Sequence, residues 1–305
     1  MQRILKCAPG AWLASIAVVI CSSPAPCAAF QASQVVETIE RNFPVEARPT
    51  VTIKNVDGRT RVRAGDSHTV QVRAVKEVTR ADSREEAERA AADIKVRIEQ
   101  VGNRIEVEAI YPRSWFSFGM KPRALVHFEI ATPAQADIEA NSVDGALEVR
   151  GIDGRLELAT VDGELSGYDL AGRIDAHTVD GELALQGVRG EVKGHTVDGK
   201  LSIAGDLTSL EASSTDGAID ISAGQGSKID NDWSVRSTDG DVQLELPAGL
   251  GAELDVETGD GRISNQLPMT IRGEISSHRL RGTINDGGGL IHIHTSDGSV
   301  TIVKS

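Results

Sequence analysis

Aromatic residues make up only 3% of this 305-residue chain, and its three cysteines, Cys7, Cys21 and Cys27, all precede residue 30. The opening Met1-Gln-Arg-Ile-Leu-Lys6, an apolar run ending near Ile20 and the small-residue stretch Pro26-Cys27-Ala28-Ala29 read as a secretory signal peptide, residues 1–29, cleaved after Ala29. The run is short and follows Pro9 and Gly10, so it predicts no stable membrane span after cleavage. Ile20 before Cys21 and Pro26 before Cys27 are poor residues for lipoprotein processing. A mature chain without cysteine excludes a disulfide framework, a thiol nucleophile and a cysteine-ligated zinc or iron–sulfur site. Cations are short too. Lys and Arg number 32 against 45 Asp and Glu, a formal charge of −13, and losing Arg3 and Lys6 lowers it by two to −15. Such a balance argues against nucleic acid as a partner and against docking on anionic lipid through a basic face. The sequence also has no nucleophile elbow, no phosphate-cradling glycine loop and no metalloprotease helix.

What the chain does have is a beat. Strings of the form Ser/Thr–Val/Thr–Asp–Gly recur at Ser142–Gly145, Thr160–Gly163, Thr178–Gly181, Thr196–Gly199 and Ser214–Gly217, each 18 residues from the last. Beneath it lies a shorter period. Leu147, Leu156, Leu165, Ile174, Leu183, Val192, Leu201, Leu210 and Ile219 fall nine residues apart, and a second small or apolar column runs two residues on, from Val149 to Ile221. The apolar–x–apolar pattern is a strand signal, and self-similarity at a fixed period is the signature of a stacked array. Asp-Gly between such strands also suits a hairpin, so an antiparallel meander or open barrel competes with a solenoid. Parity favours the solenoid. In a two-residue hairpin Val161 and Leu165 would lie on opposite faces and one apolar column would meet water along its whole length, whereas a solenoid corner can turn Val161, Leu165 and Gly167 all inward. One coil cannot bury its own apolar face, so stacking must complete the core. The fold class expected is all-β, a parallel β-solenoid of the β-helix or β-roll kind, with 18-residue coils of two nonapeptides and one short helix in the N-terminal part.

Three regions follow. After the signal peptide, residues 30–135 form an N-terminal β-rich capping region, and residues 136–305 the solenoid repeats. In the first, Val51–Lys54 and Asn55-Val56-Asp57-Gly58 resemble the later coils, and Ser83 with Glu86 opens a helix near residues 83–93 through a capping box. Ile94–Ile98 and Ile105–Ala109 form a hairpin through Gly102-Asn103. Arg113 to Arg123 stands apart, with Trp115, Phe116 and Phe118 beside Arg113, Lys121 and Arg123. That loop is either an apolar plug on the solenoid or an exposed contact for a membrane or partner. After Gly217 the strings are more widely spaced, at Ser237–Gly240, Thr258–Gly261 and Thr295–Gly298, which predicts loops bulging from corners, as at Gly224–Asp232. The 37-residue gap before Gly298 reads as about two further coils in sequence order.

The order of these parts is recognisable: a signal peptide, the Asn55–Gly58 opening, a helical insertion, a proline-led strand at Pro133, repeated Thr-Val-Asp-Gly-x-Leu units, and a closing Gly287-Gly-Gly-Leu-Ile-His-Ile-His-Thr-Ser-Asp-Gly-Ser-Val-Thr-Ile. It resembles the bacterial β-strand-repeat family of unknown function that bears an adhesin label, and is similar to the head GIN-type domains, from about residue 40 to the end. The resemblance implies an envelope-associated β-solenoid and offers no catalytic residues to carry over.

Asp144, Asp162, Asp180, Asp198 and Asp216 should form a column at strand spacing, about 4.8 Å. Like charges at that distance repel by only about 0.9 kcal/mol in water-like dielectric, which corner hydrogen bonds from backbone N–H groups to the carboxylates can offset. A turn-forming role therefore accounts for them without calcium, and the longer Gly-Gly-x-Gly-x-Asp corner of calcium-loaded repeats is missing. His177 and His195 share a column and His292 and His294 share a strand face, but two ligands make a weak metal site, so they read as solvated histidines. No metal, cofactor or catalytic residue is expected. The function expected is non-enzymatic: an exported protein, periplasmic, at the cell surface or secreted, with an adhesin-like binding or scaffold role in the cell envelope. Its partner would be an envelope or extracellular protein or glycan, with contact at Trp115, Phe116 and Phe118. The alternative is a periplasmic sensor or regulatory partner of a membrane protein. A polysaccharide-active β-helix enzyme comes third, because compact coils and few aromatics leave little groove or sugar platform. Calcium or a chelator is expected to leave Tm nearly unchanged; a large shift would show that the Asp column takes the ion.

Overall fold

The structure, a computed structural model, describes residues 34–78, 83–112, 124–271 and 276–305. These form an all-β, solenoid-like body with one helix, Arg84–Asp93. Alternating side chains send one row of each strand inward, and strand pairing on both sides saturates the backbone. Two ladders run the length of the body. In the first, Asp137–Asn141, Asp153–Ala159 and Ala171–His177 pair in parallel, so that Leu156 lies between Ile138 and Ile174. In the second, Leu147–Arg150, Leu165–Tyr168 and the start of Leu183–His195 pair in parallel, with Leu165 between Leu147 and Leu183. The nine-residue column from Leu147 to Ile219 is buried throughout, and Leu183–His195 and Leu201–Ser214 each pass through both ladders. Inward rows from the two ladders meet in one core.

The corners correct one expectation. Val161 does not turn inward: Val143, Val161 and Val179 are 40%, 46% and 40% exposed, while Ile152, Leu170 and Val188 at the plainer corners are buried. The inward place at each Asp-Gly corner belongs instead to the Ser or Thr two residues before the Asp, and Thr160, Thr178, Thr196, Ser214, Ser237, Thr258 and Thr295 are all buried. The hydroxyl explains the exchange. Ser214 Oγ accepts from Gly217 N–H at 2.9 Å and Ser237 Oγ from Gly240 N–H at 3.0 Å, so each closes its own turn. At Asp206, 18 residues after the buried Val188, a register shift buries Leu207 instead.

Corners stack as tightly as strands. Asp162 N–H donates to Val143 O at 2.8 Å, Asp180 N–H to Val161 O at 2.8 Å and Asp198 N–H to Val179 O at 2.9 Å. The corner glycines sit in the gap this leaves. A Cβ built on Gly163 would lie 2.6 Å from the Gly145 carbonyl oxygen, and one on Gly181 would fall on that of Gly163.

Spatial order departs from chain order at both ends. Thr50–Lys54 lies between Asp137–Asn141 and the later strand Arg104–Ile110, and Thr60–Ala64 lies between Leu147–Arg150 and Ala124–Thr132. At the other end Leu290–Thr295 and Val300–Lys304 are inserted between Trp233–Leu246 strands and the earlier Ala252–Thr258 and Ile263–Asn265. The strands after Gly261 thus do not stack in chain order. Antiparallel Met269–Ile271 and Arg279–Ile284 turn the chain round on the outer edge of Ala252–Thr258, so the final strands return on its inner edge.

Antiparallel strands also cover the N-terminal end: Lys95–Val101 on Arg104–Ile110, and Gln34–Pro44 and Thr69–Val78 beyond Ala124–Thr132. Ser83 caps the helix by accepting from Glu86 N–H at 3.2 Å, and Ala87, Ala90 and Ala91 are its buried face. The last turn has no basic residue of its own. Buried Lys76 supplies the charge, donating to Ala91 O at 3.1 Å and pairing with Glu37 at 2.8 Å. Tyr111 Oη accepts from Val126 N–H at 3.1 Å and donates to Asp57 O at 2.8 Å, and burial pushes its pKa well above the usual phenol range.

Gly181→Ala is expected to lower Tm by about 2–10 °C, the usual effect of overpacking in a body of this size. The outward substitution Val179→Thr should leave it nearly fixed, and thermal melts showing equal effects would contradict the stacked corner.

Candidate binding groove

The outer face of the first ladder carries a run of paired charge. Outward columns run across the coils, and one reads Glu157, Asp175, Lys193, Glu211, Ser234, His292 and Asp255. The next reads His177, His195, Ser213, Arg236, His294 and Glu257. Neighbours across this face neutralise one another: Arg173 pairs with Glu191, Lys193 with Glu211 at 2.8 Å, and Arg281 with Asp255 at 2.9 Å. The hydrogen bond from Lys193 holds the Glu211 carboxyl below the usual carboxylate range, and that from Arg281 does the same for Asp255.

A groove of 260 Å³ interrupts this face, bounded by Arg173, Lys193, Glu211, Asp232, Ser234 and Arg236. Its wall is built by the extra residues after Ala223. Lys228 N–H and Asp230 N–H donate to Leu207 O and Thr208 O at 2.9 and 3.1 Å, and Ser227 Oγ accepts from Leu207 N–H at 3.0 Å. These bonds fold the bulge onto the 205–208 corner and place Asn231 and Asp232 beside the ladder. Two polar groups in the groove are unsatisfied. Arg236 has no hydrogen-bond or ion-pair partner among the described residues, and the buried Ser234 Oγ has no hydrogen-bond partner. A cation next to an unused hydroxyl, with three carboxylates nearby, suits a polar ligand that offers acceptor oxygens to one side and donors to the other.

The histidines stand close by. His177 and His195 rings lie 5.9 Å apart, His177 Nε2 is 2.6 Å from Asp175 Oδ1, and His195 Nδ1 is 2.7 Å from Ser213 Oγ. His294 joins their column beyond Arg236, and His292 faces Ser234. No group of three or more His, Cys, Asp or Glu side chains among the described residues is placed to hold a metal ion.

The Asp column exists, exposed and in register along the corner edge. Its carboxylates do not work as expected. No backbone N–H donates to the side chains of Asp144, Asp162, Asp180, Asp198 or Asp216 among the described residues; at the later corners the hydroxyls of Ser214, Ser237, Thr258 and Thr295 take that role instead. Asp198 is the perturbed member: a hydrogen bond to Asp216, then burial, then the charges of Asp216 and Asp180 push its carboxyl above the ordinary range. Trp115, Phe116 and Phe118 lie outside the described residues, as does the signal segment 1–29. No helix among the described residues is long and apolar enough to cross a membrane. The excess length at Gly224–Asp232 was the one readable sign of the groove; nothing in the chain order marks Ser234 or Arg236.

The sequence profile described as Toastrack DUF4097 matches residues 51–303. No curated protein matches the chain. Among solved structures, a candidate cell adhesion protein from Clostridium sporogenes is 11% identical with a TM-score of 0.31, covering 88% of this chain and 100% of its own. A candidate adhesin from Bacteroides fragilis is 14% identical with a TM-score of 0.43, covering 88% of this chain and 97% of its own. A candidate lipid-binding protein from Parabacteroides distasonis is 12% identical with a TM-score of 0.38, covering 87% of this chain and 96% of its own.

Asp216→Asn should return the Asp198 carboxyl toward its ordinary pKa in a carbon-detected NMR titration. A raised folded-state pKa contributes stability at low pH that is lost as pH rises through it, so the variant should also lose less stability between acid and neutral pH. An unmoved Asp198 titration would show that the carboxylates do not interact.

Proposed function

The chain belongs to the Toastrack DUF4097 family, and from that footing we propose that it is an exported, non-enzymatic β-solenoid that binds a polar envelope or extracellular partner through the groove at Arg236. The signal segment supports export to the periplasm or cell surface. In this reading residues 136–305, built of 18-residue coils of two nonapeptides, are the display body, and residues 30–135 cap it. A second contact is proposed at Trp115, Phe116 and Phe118.

One observation carries the reading. Arg173 and Lys193 on the first ladder each pair with a carboxylate one coil away, whereas Arg236 makes no such pair, its charge only helping to lower the Glu211 carboxyl, and it stands beside the unpartnered Ser234 hydroxyl in a walled depression. An exposed guanidinium without a protein partner is preorganised for an anionic oxygen and need shed only water to receive it, with the buried Ser234 hydroxyl beside it. The rigid stack keeps both in place, since strands on either side fix their backbone.

In-cell photo-crosslinking with cell fractionation tests this. A photoreactive residue at Ser209, on the groove, should yield a discrete adduct in an envelope fraction, while one at Thr301 on the second ladder should not. Arg236→Ala should cut the Ser209 yield about tenfold, the value of one charge-assisted hydrogen bond. Equal yields from both sites, or no effect of Arg236→Ala, would refute the groove as the binding site.

A further inference from the structure

The last two strands fill a slot. Leu290–Thr295 pairs with Trp233–Ser237 on one side and Ala252–Thr258 on the other, and Val300–Lys304 pairs with Val242–Leu246 and Ile263–Asn265. No strand pairing joins the two walls directly among the described residues. The fit is complete on both sides: Ile291, Ile293, Val300 and Ile302 are fully buried. Thr295 Oγ1 donates to Gly240 O at 3.3 Å, and Thr258 Oγ1 of the far wall donates to Gly298 O at 2.8 Å.

Residues 285–289, Asn-Asp-Gly-Gly-Gly, join the insert to the strand before it. This tether crosses the start of Ala252–Thr258, from Arg279–Ile284 on its outer edge to Leu290–Thr295 on its inner edge. At Gly288, where φ is +155°, a Cβ would lie 2.6 Å from Gly251 O, so the crossing needs glycine. Until the insert arrives, both walls expose unpaired strand edges in both ladders. The slot selects the insert's sequence, which every copy carries. A short flexible tether gives a millimolar effective concentration, so another copy's insert competes as the protein approaches that range during folding.

We propose that two copies exchange residues 290–304, each filling the other's slot, with 285–289 as the hinge. The product joins two bodies at their C-terminal ends and displays two Arg236 grooves, which would give a repetitive partner two points of attachment. It differs from a surface-contact dimer, because separation requires both slots to open.

The mature chain's lack of cysteine makes a clean test possible. Arg236 and His294 are exposed neighbours on adjacent strands, so the variant Arg236→Cys/His294→Cys of the mature chain, residues 30–305, forms its disulfide within one chain when unexchanged and between chains when exchanged. Refolded from denaturant and then oxidised, it should give intramolecular bonds at about 1 μM and covalent dimers rising severalfold as the concentration approaches the millimolar effective concentration of the tether. Intramolecular bonds at every concentration would overturn the proposal. Wild-type protein refolded in the same series keeps the test open if the cysteines disturb folding. A dimer that survives dilution and separates only on unfolding is expected, and monomer throughout would be decisive against exchange.

Discussion

The corner, more than the strand, governs this molecule. Successive Asp-Gly corners are hydrogen-bonded to each other as the strands are, Asp N–H to the carbonyl one coil below, so they must stack at strand spacing. At that spacing the fourth corner position has no room for a side chain, and the first buries a hydroxyl, which at the later corners accepts from the turn's own N–H. With Gly and Ser/Thr fixed, the two residues between them are forced outward. A valine stripe and a carboxylate column therefore share one edge of the body, though neither is needed there for packing.

That logic explains which parts of the fold were legible. The inward columns from Leu147 to Ile219 could be read directly, because the sequence period equals the stacking period and the strand alternates strictly. The helix was readable from Ser83 and Glu86, and the hairpin from Gly102-Asn103, since both signals are local. Val161 was not, because its direction depends on a hydroxyl one residue earlier that wins the inward place. Nor could the carboxylate hydrogen bonds be judged, since Asp and Thr are both able to close such a turn and only geometry shows which does. The order of coils at the two ends was hidden for another reason. Every coil presents the same edges, so sequence similarity says that two coils can stack and not which ones do.

The candidate groove depends on both hidden features. Its wall follows from extra residues that the repeat tolerates only at a corner, where the Gly224–Asp232 bulge can hydrogen-bond to the corner below without breaking either ladder. Its free cation follows from stacking order. Along the first ladder, carboxylates recur often enough that a cation usually finds one in the next coil, as Lys193 finds Glu211 and Arg281 finds Asp255.

Arg236 would meet the same fate if coils stacked as they occur in the chain. Glu257 occupies the same column, and with Ala252–Thr258 directly beside Trp233–Ser237 the two would be adjacent. The C-terminal strand intervenes: His294 lies between them, opposite Arg236 on one side and Glu257 on the other. Glu257 turns outward to Arg279 at 3.4 Å, and Arg236 is left between Ser213 and a histidine. A spacer in the right place thus prevents a surface ion pair that would be worth little to stability, and it keeps a guanidinium available. The insertion that completes the core and the unpaired charge in the groove are consequences of one topological fact, so a chain whose last coil were displaced would lose its packing and neutralise its binding residue together.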